Sequence, residues 1–348
     1  MPARFLLVGF LAFISPSQGS FVPRDLPCEL SHDVGKSLSE KAIRALSLAL
    51  DCRYREALSL ADSVARLAPQ HPSGYLLRAG IYELEMLDYG SYSGEHLMDD
   101  ALGEAILRAE DLLGRSEAWG SFYLGAAYGL RGLHLGRRGF WARALRDAWR
   151  GLSFLERSVR AEPSLYDSYL GIGIYRYWKS KLSWLPLVKD EKDSGVALMS
   201  LAAERGLYLR DISLLSISWA LMDSGDYEGA LEISEDLVVR HPDSRLLRDS
   251  LAGALKRRGD LAGAYRQYSE MFRSYRAESM EGSLGALRCL WDMAEVAFMM
   301  GNYQDCLELC SRITGADPPP GGGAGREMAG RALEKAKSYI GECGSRLR

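Results

Sequence analysis

A short pattern that returns five times constrains the fold of this chain more than any other feature. In four of the five places a Gly comes first, in three of these an Asp or Asn follows it, and all five then carry Ala or Cys. Gly readily ends one helix, Asp or Asn caps the next, and a small residue lets two helices touch closely. Each place therefore predicts a corner between two helices. The five strings are Cys52–Leu58, Arg138–Leu145, Ser224–Leu231, Arg258–Tyr265 and Met300–Leu307.

The spacing of these corners indicates the size of the repeating unit. Ala230 and Ala264 are 34 residues apart, and in three corners a Pro follows the small residue by twelve. Those residues, Pro69, Pro242 and Pro318, mark where the second helix stops. A helical hairpin of this length with these marks resembles the tetratricopeptide repeat. The resemblance is strong over 211–318 and fair over 38–69.

The middle of the chain looks like a stretched version of the same unit. Ala144 lies 20 residues past Leu124, and Pro163 lies 19 residues past Ala144. The corresponding spacings in the tetratricopeptide repeat are about 13 and about 12 residues. About seven extra residues make two helical turns, which keep the buried face in phase. A longer hairpin is expected over 117–162.

The resemblance implies an all-α fold. We expect a right-handed α-solenoid of about seven hairpins over 34–316, because each hairpin buries its apolar face against the next. A flexible Pro- and Gly-rich linker over 317–325 and a C-terminal capping helix with its tail over 326–348 follow. Sustained strand alternation is absent from the sequence.

The first residues predict export. Arg4 is followed by an apolar run over 5–14, which is too short to span a bilayer, and small residues stand at Ser17 and Gly19. These are the marks of a cleavable signal peptide over 1–19, with an N-terminal extension over 20–33. The prediction is a periplasmic or secreted chain, and an uncleaved anchor is the alternative. Cys28 lies too far from the apolar run for a lipoprotein.

The cysteines are interpreted mainly as packing residues. Cys306 and Cys310 lie four apart on one helix face, at positions where the repeat pattern wants small apolar side chains. A disulfide between Cys28 and Cys52 is an alternative for the N-terminal segment, since exported chains can form such bonds.

The sequence offers little for catalysis. The five His residues are scattered, and the nucleotide-binding, metalloprotease and nucleophile-elbow patterns are absent. We therefore predict no enzyme activity, no cofactor and no metal site. The balance of 43 basic and 46 acidic residues gives no reason to expect nucleic acid as a partner.

Charge is unevenly spread in the middle of the chain. Ten acidic residues lie over 82–117, whereas eight Arg and two acidic residues lie over 131–160. One interpretation is that these neighbouring hairpins pack or pair with each other. The other is a basic patch for an anionic partner, such as a phospholipid head group or a polysaccharide.

The tetratricopeptide resemblance also implies which residues line a concave binding face, because set positions of each first helix point there. The sequence departs from the carboxylate clamp of the family, which only Lys256 and Arg257 faintly match. A tightly wound superhelix without an open groove is the alternative. The predicted binding residues are Trp119, Phe122, Ile172, Tyr175, Arg176, Trp219, Met222, Lys256, Arg257 and Trp291.

These features together predict a non-enzymatic scaffold or adaptor. It is expected to bind a protein or peptide partner in the cell envelope through its concave face. The alternative function is a periplasmic binding protein for a small apolar or amphipathic ligand, held by an aromatic groove with Arg176 on its carboxylate. The apolar loop from Trp184 to Val188 is a further candidate for contact with a membrane surface.

Overall fold

The computed structural model describes residues 36–184, 188–315 and 323–347. Within these ranges the chain forms fifteen α-helices and one short 3-10 helix, without a strand. The signal peptide, the N-terminal extension, Cys28 and positions 317–322 of the linker lie outside the described residues. The all-α prediction is confirmed.

Consecutive helices pair as hairpins, and a single helix follows the last pair. Along the chain, α5 packs on α6, α7 on α8, α11 on α12 and α13 on α14, while α15 packs on both α13 and α14. The helices are α1 Lys36–Leu50, α2 Tyr54–Leu67, α3 Ser73–Tyr89, α4 Glu95–Leu113, α5 Glu117–Arg137, α6 Trp141–Ala161, α7 Ser168–Lys179, α8 Lys192–Arg205, α9 Arg210–Ser224, α10 Tyr227–Arg240, α11 Arg245–Arg258, α12 Leu261–Ala277, α13 Leu284–Met299, α14 Tyr303–Thr314 and α15 Gly323–Arg346.

The corners have the chemistry that the sequence pattern predicts. The Asp260 carboxylate accepts a hydrogen bond from the Gly263 backbone N–H at 2.8 Å and so caps α12. Gly259 before it adopts a φ of 97°, a left-handed conformation that glycine takes without strain. In the first corner, which has no Gly, Cys52 takes the left-handed position with a φ of 60°.

The small residues of the corners lie where two helices meet. Each of the five is fully buried, with 0% of its surface exposed. A larger side chain would push the paired helices apart. This confirms the structural interpretation of the repeat. The five are Ala57, Ala144, Ala230, Ala264 and Cys306.

The central hairpin is longer than the others, as its spacing predicts. Both α5 and α6 contain 21 residues, compared with 14 in α10 and in α11. Gly125 and Gly151 let the two long helices come together: a Cβ on Gly151 would lie 2.9 Å from the Gly125 carbonyl oxygen. Glycine thus allows backbone-to-backbone contact here.

Glycines also allow close backbone contact between α7 and α8. A Cβ on Gly195 would lie 2.8 Å from the Gly173 carbonyl oxygen and 2.8 Å from the Tyr177 backbone nitrogen. We expect Gly195→Ala to lower the free energy of unfolding by about 2 kcal/mol, because the helices must separate to admit the methyl group. Urea unfolding of the two proteins measures this.

A matched control lies on α4. A Cβ on Gly103 would meet nothing within 4 Å, so Gly103→Ala should leave stability unchanged or raise it by up to about 1 kcal/mol. Equal stability of the Gly195→Ala and Gly103→Ala proteins would contradict the proposed close crossing.

The described residues group into two compact units. The first comprises 36–49, 53–82 and 96–220, and the second comprises 50–52, 83–95 and 221–347. Buried tyrosines fill much of the first core, among them Tyr123, Tyr169 and Tyr177. In the second core α12 contributes three buried aromatic residues, Tyr268, Phe272 and Tyr275.

The terminal helix α15 completes the second unit. Its residues Ala336 and Cys343 are fully buried, and its Tyr339 ring stacks on Phe298 with 4.6 Å between ring centroids. The helix begins at Gly323, inside the segment that the sequence assigned to a linker. None of the helices in the described ranges is long and apolar enough to cross a membrane.

Candidate functional site

The best-placed of the predicted binding residues in the first unit lie on α7. Tyr175 and Arg176 are both partly exposed. The Trp149 side chain on α6 donates a hydrogen bond to the Tyr175 hydroxyl, and Lys179 approaches the Tyr175 ring to 6.0 Å from its centroid. Partial burial raises the pKa of Tyr175, so its hydroxyl stays neutral at ordinary pH.

The Arg176 guanidinium has N–H donors that are not used within the described part of the chain. Its Nη1 donates to Ser194 Oγ at 2.9 Å. Among the described residues no carboxylate pairs with this guanidinium. Because a guanidinium carries five N–H donors, Arg176 can still bind a carboxylate or another anionic group of a partner. We call Trp149, Tyr175, Arg176 and Lys179 the α7 face.

Three other predicted binding residues of the first unit lie in the core. Trp119, Phe122 and Ile172 are buried, with 8%, 4% and 3% of their surfaces exposed. The Trp119 and Phe122 rings meet edge to face, 5.7 Å between centroids. They have little surface to offer a ligand, and their role in binding stays a prediction. Trp219 on α9 is partly exposed.

The predicted binding residues of the second unit differ from one another in exposure and in contacts. Met222 is buried, Lys256 forms an ion pair with Glu295 on α13, and Arg257 is exposed. Trp291 stacks against Tyr339 of α15 at 5.1 Å between centroids, with the Lys335 ammonium 5.5 Å from its ring. The C-terminal helix therefore covers part of the Trp291 surface.

The Arg-rich hairpin contains ion pairs between its own two helices, α5 and α6. Arg157 pairs with Glu117 at 2.6 Å, and Arg131 pairs with the buried Asp147 at 2.7 Å. The guanidinium groups of Arg131 and Arg150 lie 4.9 and 4.8 Å from the centroid of the Tyr128 ring. Much of the basic charge is thus held by aromatic rings and by acids of α5 and α6.

Sequence reasoning missed a buried charge cluster in the second unit. Arg245 on α11 is 1% exposed, and its Nη2 donates to the Asp88 carboxylate at 2.5 Å while its Nε donates at 3.0 Å. Its Nη1 donates to Glu278 at 2.6 Å and to Ser274 at 2.9 Å. The Tyr275 hydroxyl also donates to Asp88, at 2.9 Å. We call these five residues the Arg245 cluster.

The electrostatics of the Arg245 cluster are those of a permanent ion pair. Burial by itself lowers the pKa of Arg245, but the hydrogen bonds and charge of Asp88, with those of Glu278, outweigh it and raise the pKa. The guanidinium therefore stays charged. Because 157 residues separate the two partners, nothing in the local sequence signals the pair.

A second buried carboxylate organises the first unit. Asp167 precedes α7, is 3% exposed, and accepts three backbone hydrogen bonds from the segment that leads into α9. Burial raises the pKa of Asp167, against the opposing effect of these donors. The donors are the N–H groups of Leu207, Tyr208 and Leu209, at 2.8, 2.9 and 2.8 Å.

Three of the five thiols of the described residues are poorly suited to nucleophilic chemistry. Burial raises the pKa of Cys289, Cys306 and Cys310, which disfavours the reactive thiolate. In the ranges that the structure describes, no three His, Cys, Asp or Glu side chains are grouped so that they could hold a metal ion.

Paired helices, capped corners and small residues at each contact together define a helical-repeat protein with a tetratricopeptide-like fold. The chain is similar to a Rap protein complexed with competence and sporulation factor, at 13% identity and a TM-score of 0.50, covering 89% of this chain and 86% of that one.

Two further solved structures share the general likeness. They are the apo form of RapI, at 13% identity, TM-score 0.40 and coverage of 90% and 86%, and the tetratricopeptide domain of P58(IPK), at 14% identity, TM-score 0.25 and coverage of 88% and 99%. No protein-family model matches the chain, and no curated relative matches it.

Proposed function

We propose that this chain is a non-enzymatic scaffold that binds a protein or peptide partner, and that the α7 face is part of its binding surface. The proposal includes export to the periplasm or the medium, based on the signal-peptide pattern over 1–19. The small-ligand alternative has less support, because Trp119 and Phe122, which it needs as walls of a groove, are buried.

The exposure and hydrogen bonding of Arg176 are the main support for the proposal. The residue stands at a position that the repeat resemblance assigns to the binding face, and its guanidinium is held by a neutral Ser194 hydroxyl at 2.9 Å. The neighbouring Tyr175 is fixed by Trp149. A partly exposed Arg beside an oriented aromatic ring is a common composition of binding hot spots, because little side-chain entropy is lost on binding.

The similar Rap structure gives independent support at the level of the fold. That protein was crystallised with competence and sporulation factor bound. A chain with this arrangement of helical hairpins can therefore hold a partner. At 13% identity the site itself does not transfer, so the residues are taken from this chain alone.

A photo-crosslinking residue in place of Tyr175, in the native host, tests the proposal. We expect a specific protein or peptide adduct from position 175 and none from Leu107, which is 51% exposed on α4. With the identified partner purified, Arg176→Gln should weaken binding about 10- to 150-fold, since a charge-assisted hydrogen bond contributes about 1.5–3 kcal/mol. Isothermal titration calorimetry measures this.

Arg210→Gln is the matched control, because Arg210 is exposed at the start of α9 in the same unit. It should bind as the wild type does. Unchanged affinity of Arg176→Gln, or adducts from position 107 alone, would contradict the assignment of the α7 face. The mass of the chain in the periplasmic fraction tests export, with removal of residues 1–19 as the expected result.

A further inference from the structure

Three of the five thiols in the described residues lie together in the second unit, where the last helix packs on α14. Cys306 and Cys310 lie one turn apart on α14, Cys343 lies near the end of α15, and each has 0% of its surface exposed. The Cys306 thiol is within hydrogen-bonding range of the thiols of both Cys310 and Cys343. We call these three residues the thiol cluster.

A second contact independently places Cys343 beside Cys306. The Arg346 guanidinium lies 5.8 Å from the centroid of the Tyr303 ring. Arg346 comes three residues after Cys343, and Tyr303 comes three residues before Cys306. The two contacts therefore occur in opposite order along the two helices, as they do when helices pack antiparallel.

Backbone geometry selects one pair of the thiol cluster for a covalent bond. Residues four apart on a helix, such as Cys306 and Cys310, keep their Cβ atoms about 5–6 Å apart. A disulfide needs Cβ atoms about 3.5–4.5 Å apart, so this pair cannot be joined without distorting α14. Of the two thiols on α14, Cys306 is the one in hydrogen-bonding range of Cys343, which approaches from another helix.

The residue type at this corner also favours a bond over packing alone. The small residue is Ala at the four other corners, at positions 57, 144, 230 and 264, and each of these is as fully buried as Cys306. Ala is thus sufficient where only close contact between helices is required. Among the five corners, Cys stands at the one where the terminal helix brings a second Cys into contact.

We propose that Cys306 and Cys343 form a disulfide bond that fixes α15 to α14 in an oxidising environment. The two thiols lose two protons and two electrons, and a disulfide such as oxidised glutathione or an oxidised thiol–disulfide oxidoreductase accepts them. One thiolate of the pair attacks the acceptor disulfide, which releases one acceptor thiol and leaves a mixed disulfide. The second thiolate then attacks the sulfur of the first, which forms the Cys306–Cys343 bond and releases the other acceptor thiol.

The order of events follows from burial. Burial raises the pKa of Cys306 and excludes the acceptor, so both attacks take place while α15 is undocked and the thiols are in water. In the cell the bond rests on the proposed export, because cytosolic thiols are kept reduced. The reaction of the purified chain does not depend on export, so the two proposals can fail separately.

Oxidation of the purified mature chain in a glutathione buffer, followed by alkylation and digestion after Glu, tests the pairing. Cleavage at glutamates places each of the four Cys residues from 289 onward in a peptide of its own: 282–295, 296–308, 309–327 and 343–348. We expect 296–308 linked to 343–348, with 282–295 and 309–327 alkylated. A link between 309–327 and 343–348, or alkylation of all four peptides, would overturn the proposal.

Thermal unfolding of the oxidised and reduced forms of each variant measures what the bond does. All proteins carry Cys28→Ser, so that a bond between Cys28 and Cys52 does not contribute. Oxidation should raise the melting temperature by about 5–10 °C, because it joins residues 37 positions apart in the sequence. Slower hydrogen exchange in α15 should accompany the rise.

Cys343→Ser should abolish both effects of oxidation, whatever it does to the stability of the reduced form. Cys289→Ser is the matched control, because Cys289 is buried in the same unit but its thiol donates to the Tyr268 carbonyl oxygen, at 2.9 Å. This variant should keep the full gain on oxidation. An equal gain in the Cys343→Ser protein and in the control would show that the bond does not hold α15.

Discussion

Replacing Arg245 by Ala should lower the free energy of unfolding of the second unit by about 3–5 kcal/mol. The side chain is 1% exposed and Asp88 is 6% exposed, so the substitution leaves a carboxylate in the interior without its main partner. The hydroxyl of Tyr275 remains, at 2.9 Å from that carboxylate. One neutral donor does not replace a guanidinium that binds through two nitrogens.

Urea unfolding followed by circular dichroism measures the loss, and hydrogen exchange locates it. We expect faster exchange in residues 83–95 and in α11, since the Arg245 cluster joins these segments. Arg258→Ala is the matched control: Arg258 pairs with Glu228 at 2.9 Å, but both side chains are exposed. Its removal should cost less than about 1 kcal/mol.

The reverse experiment distinguishes an unpaired charge from lost packing. Replacing Arg245 by Met and Asp88 by Leu together should restore much of the stability that Arg245→Ala loses, because a buried ion pair can be exchanged for apolar contacts at little cost. If the double substitution is as unstable as Arg245→Ala, the loss comes from shape and contacts rather than from the isolated Asp88 charge.

The local pattern of the chain was sufficient to predict its helical hairpins. Gly, a capping Asp or Asn and a small residue act within a few positions of one another, so the corners at Gly225 and Gly259 are readable directly. The lengthening of α5 and α6 followed from the spacing of Leu124, Ala144 and Pro163. All these signals involve residues that are close together in the sequence, so they can be recognised without knowledge of the tertiary structure.

The contacts that fix each unit could not be predicted in this way. Asp88 and Arg245 are 157 residues apart, and Asp167 finds its donors 40 to 42 residues later. Neither pair has a periodic signature. For the same reason the burial of Trp119 and Met222 could not be predicted. The position of each residue in its repeat indicates which face of the helix it lies on, but not which neighbouring helix covers that face.

Asp167→Ala should lower the free energy of unfolding of the first unit by about 3 kcal/mol. Three backbone N–H groups, those of Leu207, Tyr208 and Leu209, lose their acceptor at distances of 2.8 to 2.9 Å. Each unsatisfied buried donor costs about 1–3 kcal/mol, and water entering the vacated space relieves part of that sum. Urea unfolding gives the size of the loss.

Two further substitutions identify the cause. Asp167→Asn keeps one acceptor oxygen, so it should lose about half as much stability as Asp167→Ala. Asp226→Ala removes an exposed carboxylate that accepts one backbone bond, from Gly229 at 3.0 Å, and should cost about 1 kcal/mol, as for other helix caps. The order Asp167→Ala, Asp167→Asn, Asp226→Ala follows from the number of buried donors left unpaired. Equal losses at positions 167 and 226 would instead mean that Asp167 acts as an ordinary cap, and that the approach to α9 is held by its apolar contacts.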